Sequence, residues 1–251
     1  MRVIAVIPAR YASTRFPGKP LAPILGKPMI QWVWERARRV PGLSRILVAT
    51  DDERIVEAVT GFGGEAIMTS ALCPSGSDRV WEAVRSEDCD LVLNLQGDEP
   101  ALNPPAITAL LAAMETEGRA QMGTLVTPLR DRADYENPNV VKVVLGEGGR
   151  CLYFSRSPVP FLRGLDFERA TLWRHVGVYA FRKAFLETFV SWPKGHLEEA
   201  ESLEQLRAIE HGAFVLAAPG DWPGCSVDVP ADVSAASAYL SALEAGARHA
   251  P

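Results

Sequence analysis

The sequence predicts an α/β protein with a mostly parallel sheet flanked by helices and a smaller mixed β lobe, and three observations point there. Through the first 117 residues, short and continuously apolar runs alternate with amphipathic stretches, the signature of parallel strands buried on both faces and covered by helices. From residue 121 the β segments lengthen and that alternation breaks down. The chain has 251 residues, 47% hydrophobic and 23% charged, with a mean hydropathy of +0.02, enough to bury a sizeable core.

The elements follow in order. Val3–Ile7 is a compact β-branched run halted by Pro8, and a turn-rich stretch with Ser13, Thr14, Pro17, Gly18 and Pro20 leads to a helical pattern over Met29–Arg39. The rhythm repeats three times. Strands are expected at Arg45–Ala49, Ala66–Met68 and Leu91–Leu95, followed by helices at Glu53–Thr60, Ser77–Arg85 and Pro105–Glu117. In such sheets the ligand site lies beyond the carboxyl ends of the strands. The later β segments are Gln121–Thr127, Val140–Leu145, Leu152–Phe154 and His175–Phe181, with a charged loop over Arg163–Arg174. Ala184–Val190, Ser202–His211 and Ala231–Ala245 read as helices and Phe214–Ala217 as a strand. Without internal repeats or low-complexity linkers, the expectation is one domain over residues 1–251, with about 121–182 forming the lobe.

Composition narrows the function. The longest uncharged stretch, Pro100–Met114, covers 15 residues and contains two further prolines, short of the roughly 18–20 apolar residues of a membrane span. The N-terminus has no signal-peptide pattern, so a cytoplasmic location is expected. Cys73, Cys89, Cys151 and Cys225 contain no C-x-x-C pair and read as reduced thiols. A net charge of −5 argues against a nucleic-acid coat. The distribution of charge is more informative: residues 1–34 carry Arg2, Arg10, Arg15, Lys19 and Lys27 and no acid, which suggests a local anion site.

Two constellations carry chemistry. The loop Pro8–Leu21 is neither a Walker A loop nor a G-x-G-x-x-G turn, but it leaves the first strand with three cations, two hydroxyls and exposed backbone N–H groups, which suit a polyphosphate better than a plain surface loop. The run Val92–Pro100 is a greasy strand ending in Gly97-Asp98, which puts a carboxylate at the same rim. Asp98 is a candidate ligand for Mg²⁺, which binds through one or two carboxylates plus substrate phosphates; an Asp at a strand end also serves as a helix cap. Asp228, in Ser226–Pro230, repeats the arrangement 130 residues later, and two such carboxylates can share one metal.

With these motifs stand A-T-D-D at Ala49–Asp52, S-G-S-D-R at Ser75–Arg79, N-P-N-V-V-K-V-V at Asn137–Val144, Y-F-S-R at Tyr153–Arg156, R-H-V-G-V-Y at Arg174–Tyr179 and L-E-Q-L-R at Leu203–Arg207. Together they resemble the 3-deoxy-manno-octulosonate cytidylyltransferase (CMP-Kdo synthetase) family over residues 3 to about 232. The resemblance implies a Rossmann-like fold of the nucleotide-diphospho-sugar transferase type. It also implies transfer of CMP from CTP to Kdo for lipopolysaccharide synthesis, with Mg²⁺ as cofactor, in a cytoplasmic homodimer. On the same ground Arg10, Ser13, Arg15 and Lys19 become phosphate ligands, with Ala9, Ser75, Gly76 and Arg79 also on the nucleotide. Asp98 and Asp228 become the metal carboxylates, and Lys19, Arg15, Asp98 and Asp228 the catalytic set. Gln96, Arg156, His175, Tyr179, Glu204 and Gln205 fall where the family binds the acidic sugar. No covalent intermediate is implied, so none of Ser13, Cys73 and His175 is assigned as a nucleophile.

The sugar set also has a chemical rationale: a carboxylate with many hydroxyls needs a cation, here Arg156, beside amide, carboxylate and phenol groups. Taken alone, His175 and Tyr179 on one strand face read as packing residues, and Glu204 with Arg207 as an i,i+3 surface pair. Cys73-Pro74 and Val229 depart from the family pattern, as does Arg163–Leu172. An amino-substituted Kdo, another sugar acid, or a nucleotide-binding regulator without turnover are the alternatives. A dinucleotide oxidoreductase lacks its glycine fingerprint here.

Overall fold

A computed structural model describes residues 1–222 and 225–247 of the chain. It divides into two compact units, one of residues 2–104 with the described part of 223–251, the other of residues 105–222. The first unit contains β1 (Val3–Ala9), the two-residue strands β2 (Pro23–Ile24) and β3 (Lys27–Pro28), α1 (Met29–Ala37), β4 (Leu43–Thr50), α2 (Glu53–Gly61), β5 (Glu65–Met68), α3 (Gly76–Val84) and β6 (Leu91–Asn94). The chain then runs through α4 (Pro104–Thr116), β7 (Met122–Pro128), α5 (Arg132–Glu136), β8 (Lys142–Leu145), β9 (Cys151–Ser155), β10 (Trp173–Arg182), α6 (Lys183–Ser191), α7 (His196–Glu201), α8 (Leu206–Glu210) and β11 (Val215–Pro219). It returns to the first unit in α9 (Asp232–Ala247).

The first unit carries parallel strands in the order β6-β1-β4-β5. Six of the seven residues of β1 and all four of β6 are buried, as expected of strands covered on both faces. The chain leaves β1 toward β4 on one side and later returns to β6 on the other, so β1 stands at the point where strand order reverses, the place where open α/β sheets bind ligands. Gly97 lies just beyond β6. A Cβ built there meets the Pro8 carbonyl oxygen at 2.8 Å, so the two strand ends approach more closely than any side chain allows.

Helix α9 is fastened to this unit by Ala236 and Leu240, which pack with Ile24, Met29, Trp32 and Val227. The Trp32 indole N–H donates to the Ile24 carbonyl at 2.7 Å, and Arg36 Nε donates to the Leu102 carbonyl. This packing returns the segment bearing Asp228 to the unit that bears Asp98.

In the second unit β7 lies between β11, parallel to it, and β10, antiparallel to it, while β8 pairs with β10 and β9. The mixed pairing matches the expectation for this region. Two details differ. The helix predicted over Ser202–His211 is only α8, preceded by the separate helix α7; Ser202 between them adopts φ 52°, ψ 47°, which ends α7. The charged stretch 163–174 is anchored by Phe167, buried with Leu129, Tyr135 and Leu172, and its last two residues already belong to β10.

Among the described residues no helix is long and apolar enough to cross a membrane. Gly97→Ala is expected to cost about 1–3 kcal/mol through overpacking against the Pro8 carbonyl, seen as a lower Tm; an unchanged Tm disproves the close-approach argument.

Candidate active site

A cavity of about 480 Å³ opens at the carboxyl ends of β1 and β6. Ala9, Arg10, Ser13, Arg15, Lys19, Gly76, Arg79, Gln96 and Asp98 line it, nine of the residues singled out from sequence. The loop that follows β1 is folded on itself: the Gly18 N–H donates to the Tyr11 carbonyl at 2.9 Å, with Gly18 in the left-handed region at φ 70°. Tyr11 lies against Gly18 and carries the Arg54 guanidinium over its ring at 3.3 Å. Arg54 is itself held by Asp52, the N-cap of α2, through contacts of 2.7 and 2.9 Å. The Ser13 hydroxyl accepts from the Phe16 N–H at 3.3 Å. Arg10 is exposed and has no hydrogen-bond or ion-pair partner among the described residues.

Arg79 is only 1% exposed, which its place on the predicted nucleotide side did not suggest. Its guanidinium reaches Thr69 Oγ1 at 2.6 Å and Asp51 Oδ2 at 2.8 Å, so it braces α3 against the ends of β4 and β5 while lining the cavity. Ser75 is the N-cap of α3: its hydroxyl donates to Asp78 Oδ2 at 2.6 Å and accepts from the Asp78 N–H at 3.2 Å. The departure at Cys73 is a thiol pushed up to about 11 by burial and by its hydrogen bond to Glu82 at 3.1 Å, so it stays protonated.

The two predicted metal carboxylates meet at one ammonium group. Lys19 Nζ is 2.7 Å from Asp98 Oδ2 and 3.7 Å from Asp228 Oδ1, and Arg15 Nη2 is 3.0 Å from the same Asp228 oxygen. Their backbones are tied as well. The Val227 N–H donates to the Asp98 carbonyl at 2.9 Å, and Asp232 Oδ2 accepts from the N–H groups of Asp228 and Val229 at 2.8 and 2.9 Å. Those two bonds, strongest from Val229, hold the Asp232 carboxyl below its usual range. Sequence reading missed Asp232; its spacing from Asp228 and its place at the start of a helix were the available signal.

The second unit assembles four of the remaining residues. In a regular strand His175 and Tyr179 stand about 13 Å apart, but β10 is bulged between Val176 and Tyr179 and their ring centroids are 5.5 Å apart. Thr124 sits beneath the bulge, its hydroxyl 3.0 Å from His175 Nε2 and donating toward the carbonyls of Val176 and Val178. Tyr179 OH donates to Gln205 Oε1 at 3.2 Å, while Gln205 Nε2 is a buried donor with no partner among the described residues. Glu204 lies 3.7 Å from Arg207.

Arg207 corrects the expectation of a surface pair. It is buried and gripped by Glu198 at 2.7 and 2.8 Å, because the turn after α7 points it inward. Arg156 is held by the carbonyls of Glu201, Pro138 and Ser202 at 2.7, 3.0 and 3.4 Å. Glu201, also missed from sequence, accepts from Ser155 Oγ and the Arg156 N–H. Buried Lys142 spends its three donors on the carbonyls of Asn137, Val140 and Arg156.

Desolvation lowers His175 to about 3, so its imidazole is neutral near pH 7. Burial, with Glu204 nearby, pushes the Tyr179 phenol up. With the folded-state value below the unfolded one, His175 contributes stability that is complete above about 6.5 and lost as pH falls toward 3. His175→Gln is expected to remove up to about 1.4 kcal/mol of stability loss per pH unit in that window. Urea unfolding of both proteins from pH 7 to 5 tests this; parallel profiles refute it.

A family model for cytidylyltransferases matches residues 4–215. A 3-deoxy-manno-octulosonate cytidylyltransferase of Syntrophobacter fumaroxidans is 49% identical, the alignment covering 98% of this chain and 100% of the relative. An 8-amino-3,8-dideoxy-manno-octulosonate cytidylyltransferase of Shewanella sp. is 47% identical, with 96% and 100% covered. A solved structure of CMP:2-keto-3-deoxy-manno-octonic acid synthetase complexed with CTP superposes with a TM-score of 0.92 at 42% identity, covering 97% of this chain and all of that one.

Proposed function

The chain belongs to the cytidylyltransferase family, the family of the 3-deoxy-manno-octulosonate cytidylyltransferases, and we propose that it transfers CMP from CTP to the anomeric hydroxyl of Kdo, releasing pyrophosphate. The observation that carries this reading is one cavity in which the cations of the β1 loop face Asp98, while Asp228 pairs with two of those same cations, Arg15 and Lys19. A polyphosphate and a hard cation are the ligands that such a pairing of charges serves.

Arg10, Ser13, Arg15 and Lys19 bind the triphosphate, with the backbone of Ala9 and the Ser75-Gly76 turn toward the nucleoside. Arg79 acts from behind them, since its donors are engaged with Thr69 and Asp51. In the second unit Arg156 takes the sugar carboxylate: three of its five N–H groups are spent on carbonyls, which fixes the side chain and leaves two for the ligand. Gln205, Tyr179, neutral His175 and Glu204 offer donors and acceptors for hydroxyls. The unpartnered Gln205 amide is the kind of group a ligand satisfies.

The anomeric oxygen forms a bond to the α-phosphorus as the bond to the pyrophosphate oxygen breaks, and the hydroxyl proton is lost to solvent. Lys19 and Arg15 stabilise charge that grows on the departing pyrophosphate. The donor set fits Mg²⁺: two carboxylate oxygen donors suit a hard ion that is carried partly by phosphates. Asp98 and Asp228 would hold the ion, which would supply Lewis-acid stabilisation of phosphate charge and lower the pKa of a bound hydroxyl. A homodimer working in the cytoplasm completes the reading, with residues of about 121–182 supplying sugar contacts and the dimer face of one catalytic domain.

The relatives named for the 8-amino sugar favour one alternative, the amino analogue as acceptor. Pyrophosphate release with CTP, Mg²⁺ and either sugar separates the two, with UTP and sialic acid as controls; Kdo is expected to be preferred, and no release with any acceptor rejects the enzyme. Asp98→Asn and Asp228→Asn are each expected to lower kcat by about 10²-fold or more, and wild-type turnover in either removes that residue from the metal site. Arg156→Ala is expected to raise the KM for the sugar well above any change for CTP; equal effects place the carboxylate elsewhere.

A further inference from the structure

Lys19, Arg15, Asp98 and Asp228 form an ion-paired set of two positive and two negative charges, with the Asp232 carboxylate close enough to be favoured by both cations. The proposed function gives the same cations to phosphate and the same carboxylates to metal, so each group has two partners that it cannot hold at once. We propose that this set makes the site specific for the metal–triphosphate pair, Lys19 acting as an exchange cation that keeps the carboxylates from metal until a triphosphate takes it away. The inference rests on the proposed function and adds a role for Lys19 before chemistry begins.

The geometry gives the exchange its direction. Lys19 Nζ sits at hydrogen-bond distance from Asp98 and within 4 Å of Asp228, on a side chain 16% exposed. A divalent ion needs the same carboxylate lone pairs at roughly 2.0–2.1 Å, and an ammonium on those oxygens repels it. Metal alone therefore has to expel Lys19 with no anion to receive it. Metal-free triphosphate has to draw Lys19 off and leave two carboxylates facing phosphate charge. When both arrive, every charge exchanges one partner for another. Arg10, which has no partner among the described residues, is available for the first phosphate contact without breaking a pair.

The two cations do not contribute equally. Arg15 and Asp228 are 66% and 47% exposed in their side chains, so water and salt screen that pair. Lys19 with Asp98, at 16% and 32%, is the shielded one and carries most of the coupling.

Coupling between two ligands is reciprocal, so it is testable from either side. Mn²⁺ binding to nucleotide-free protein is followed by the loss of the free-ion EPR signal. Lys19→Met is expected to bind Mn²⁺ about 10-fold tighter than wild type, Arg15→Gln to gain less, and the Lys19→Met/Asp98→Asn double variant to lose the gain. From the other side, Asp98→Asn releases Lys19 and is expected to bind inorganic tripolyphosphate without metal about 10-fold tighter, measured calorimetrically beside Asp88→Asn, a distant exposed carboxylate, as control. Circular dichroism checks folding, and the Asp98→Asn arm decides the matter if Lys19→Met does not fold. Mn²⁺ affinity in folded Lys19→Met equal to or below that of wild type overturns the proposal. So does a gain in tripolyphosphate affinity no larger than that of the control. Failure of pyrophosphate release by wild type rejects the proposed function instead, which keeps the two failures distinct.

Discussion

The hydrogen bond from the Val227 N–H to the Asp98 carbonyl joins two segments 129 residues apart along the chain, and each carries a carboxylate at that junction. Without it, Asp228 would hang on a stretch with no regular secondary structure, since residues 225–228 are neither helix nor strand. Asp232 adds the second constraint by receiving the Asp228 and Val229 N–H groups at the start of α9. Hydrophobic packing of α9 on α1 and the short β2–β3 hairpin supplies the force that brings this segment back. The site is therefore placed by a buried apolar cluster and tuned by three backbone hydrogen bonds.

The cationic loop depends on the same economy of fixed parts. Its shape is set by Gly18, which alone tolerates the backbone turn without a side chain beneath Tyr11, and by the Arg54 guanidinium stacked on that ring. A loop so held presents its charges to an anion with less ordering to be done on binding. In the second unit the equivalent device is the bulge in β10, which brings His175 and Tyr179 together over Thr124. The buried Glu198–Arg207 pair and the Lys142 ammonium, capped by three carbonyls, contribute little net stability by themselves but restrict the turns that carry Gln205 and Arg156.

Most strands and helices of the first unit were legible in the sequence because they are short apolar runs or 3.6-residue patterns, several of them closed by proline or glycine. The acid-free stretch of residues 1–34 and the Gly-Asp at the end of β6 likewise mark the cavity in the sequence itself. Less of the second unit could be read. The helix predicted across Ser202–His211 begins only at Leu206, because Ser202 takes a left-handed backbone that ends α7 and residues 203–205 form a turn before α8. Arg207 looked like a surface residue because its partner Glu198 lies nine positions back, beyond the spacing at which helix neighbours meet.

What the sequence determined by itself was local: where strands end, which side chains stand at those ends, and that positive charge gathers in one loop. These follow from neighbours within a few residues, through periodicity, turn chemistry and net charge. Tertiary structure decided which charges meet. The approach of Asp228 to Asp98 through Lys19, the bracing of Arg79 by Asp51, and the closeness of two rings across a bulge all depend on contacts between distant positions. Such contacts arise from packing and strand register, and no local pattern encodes the distance between groups that the chain brings together only when it folds.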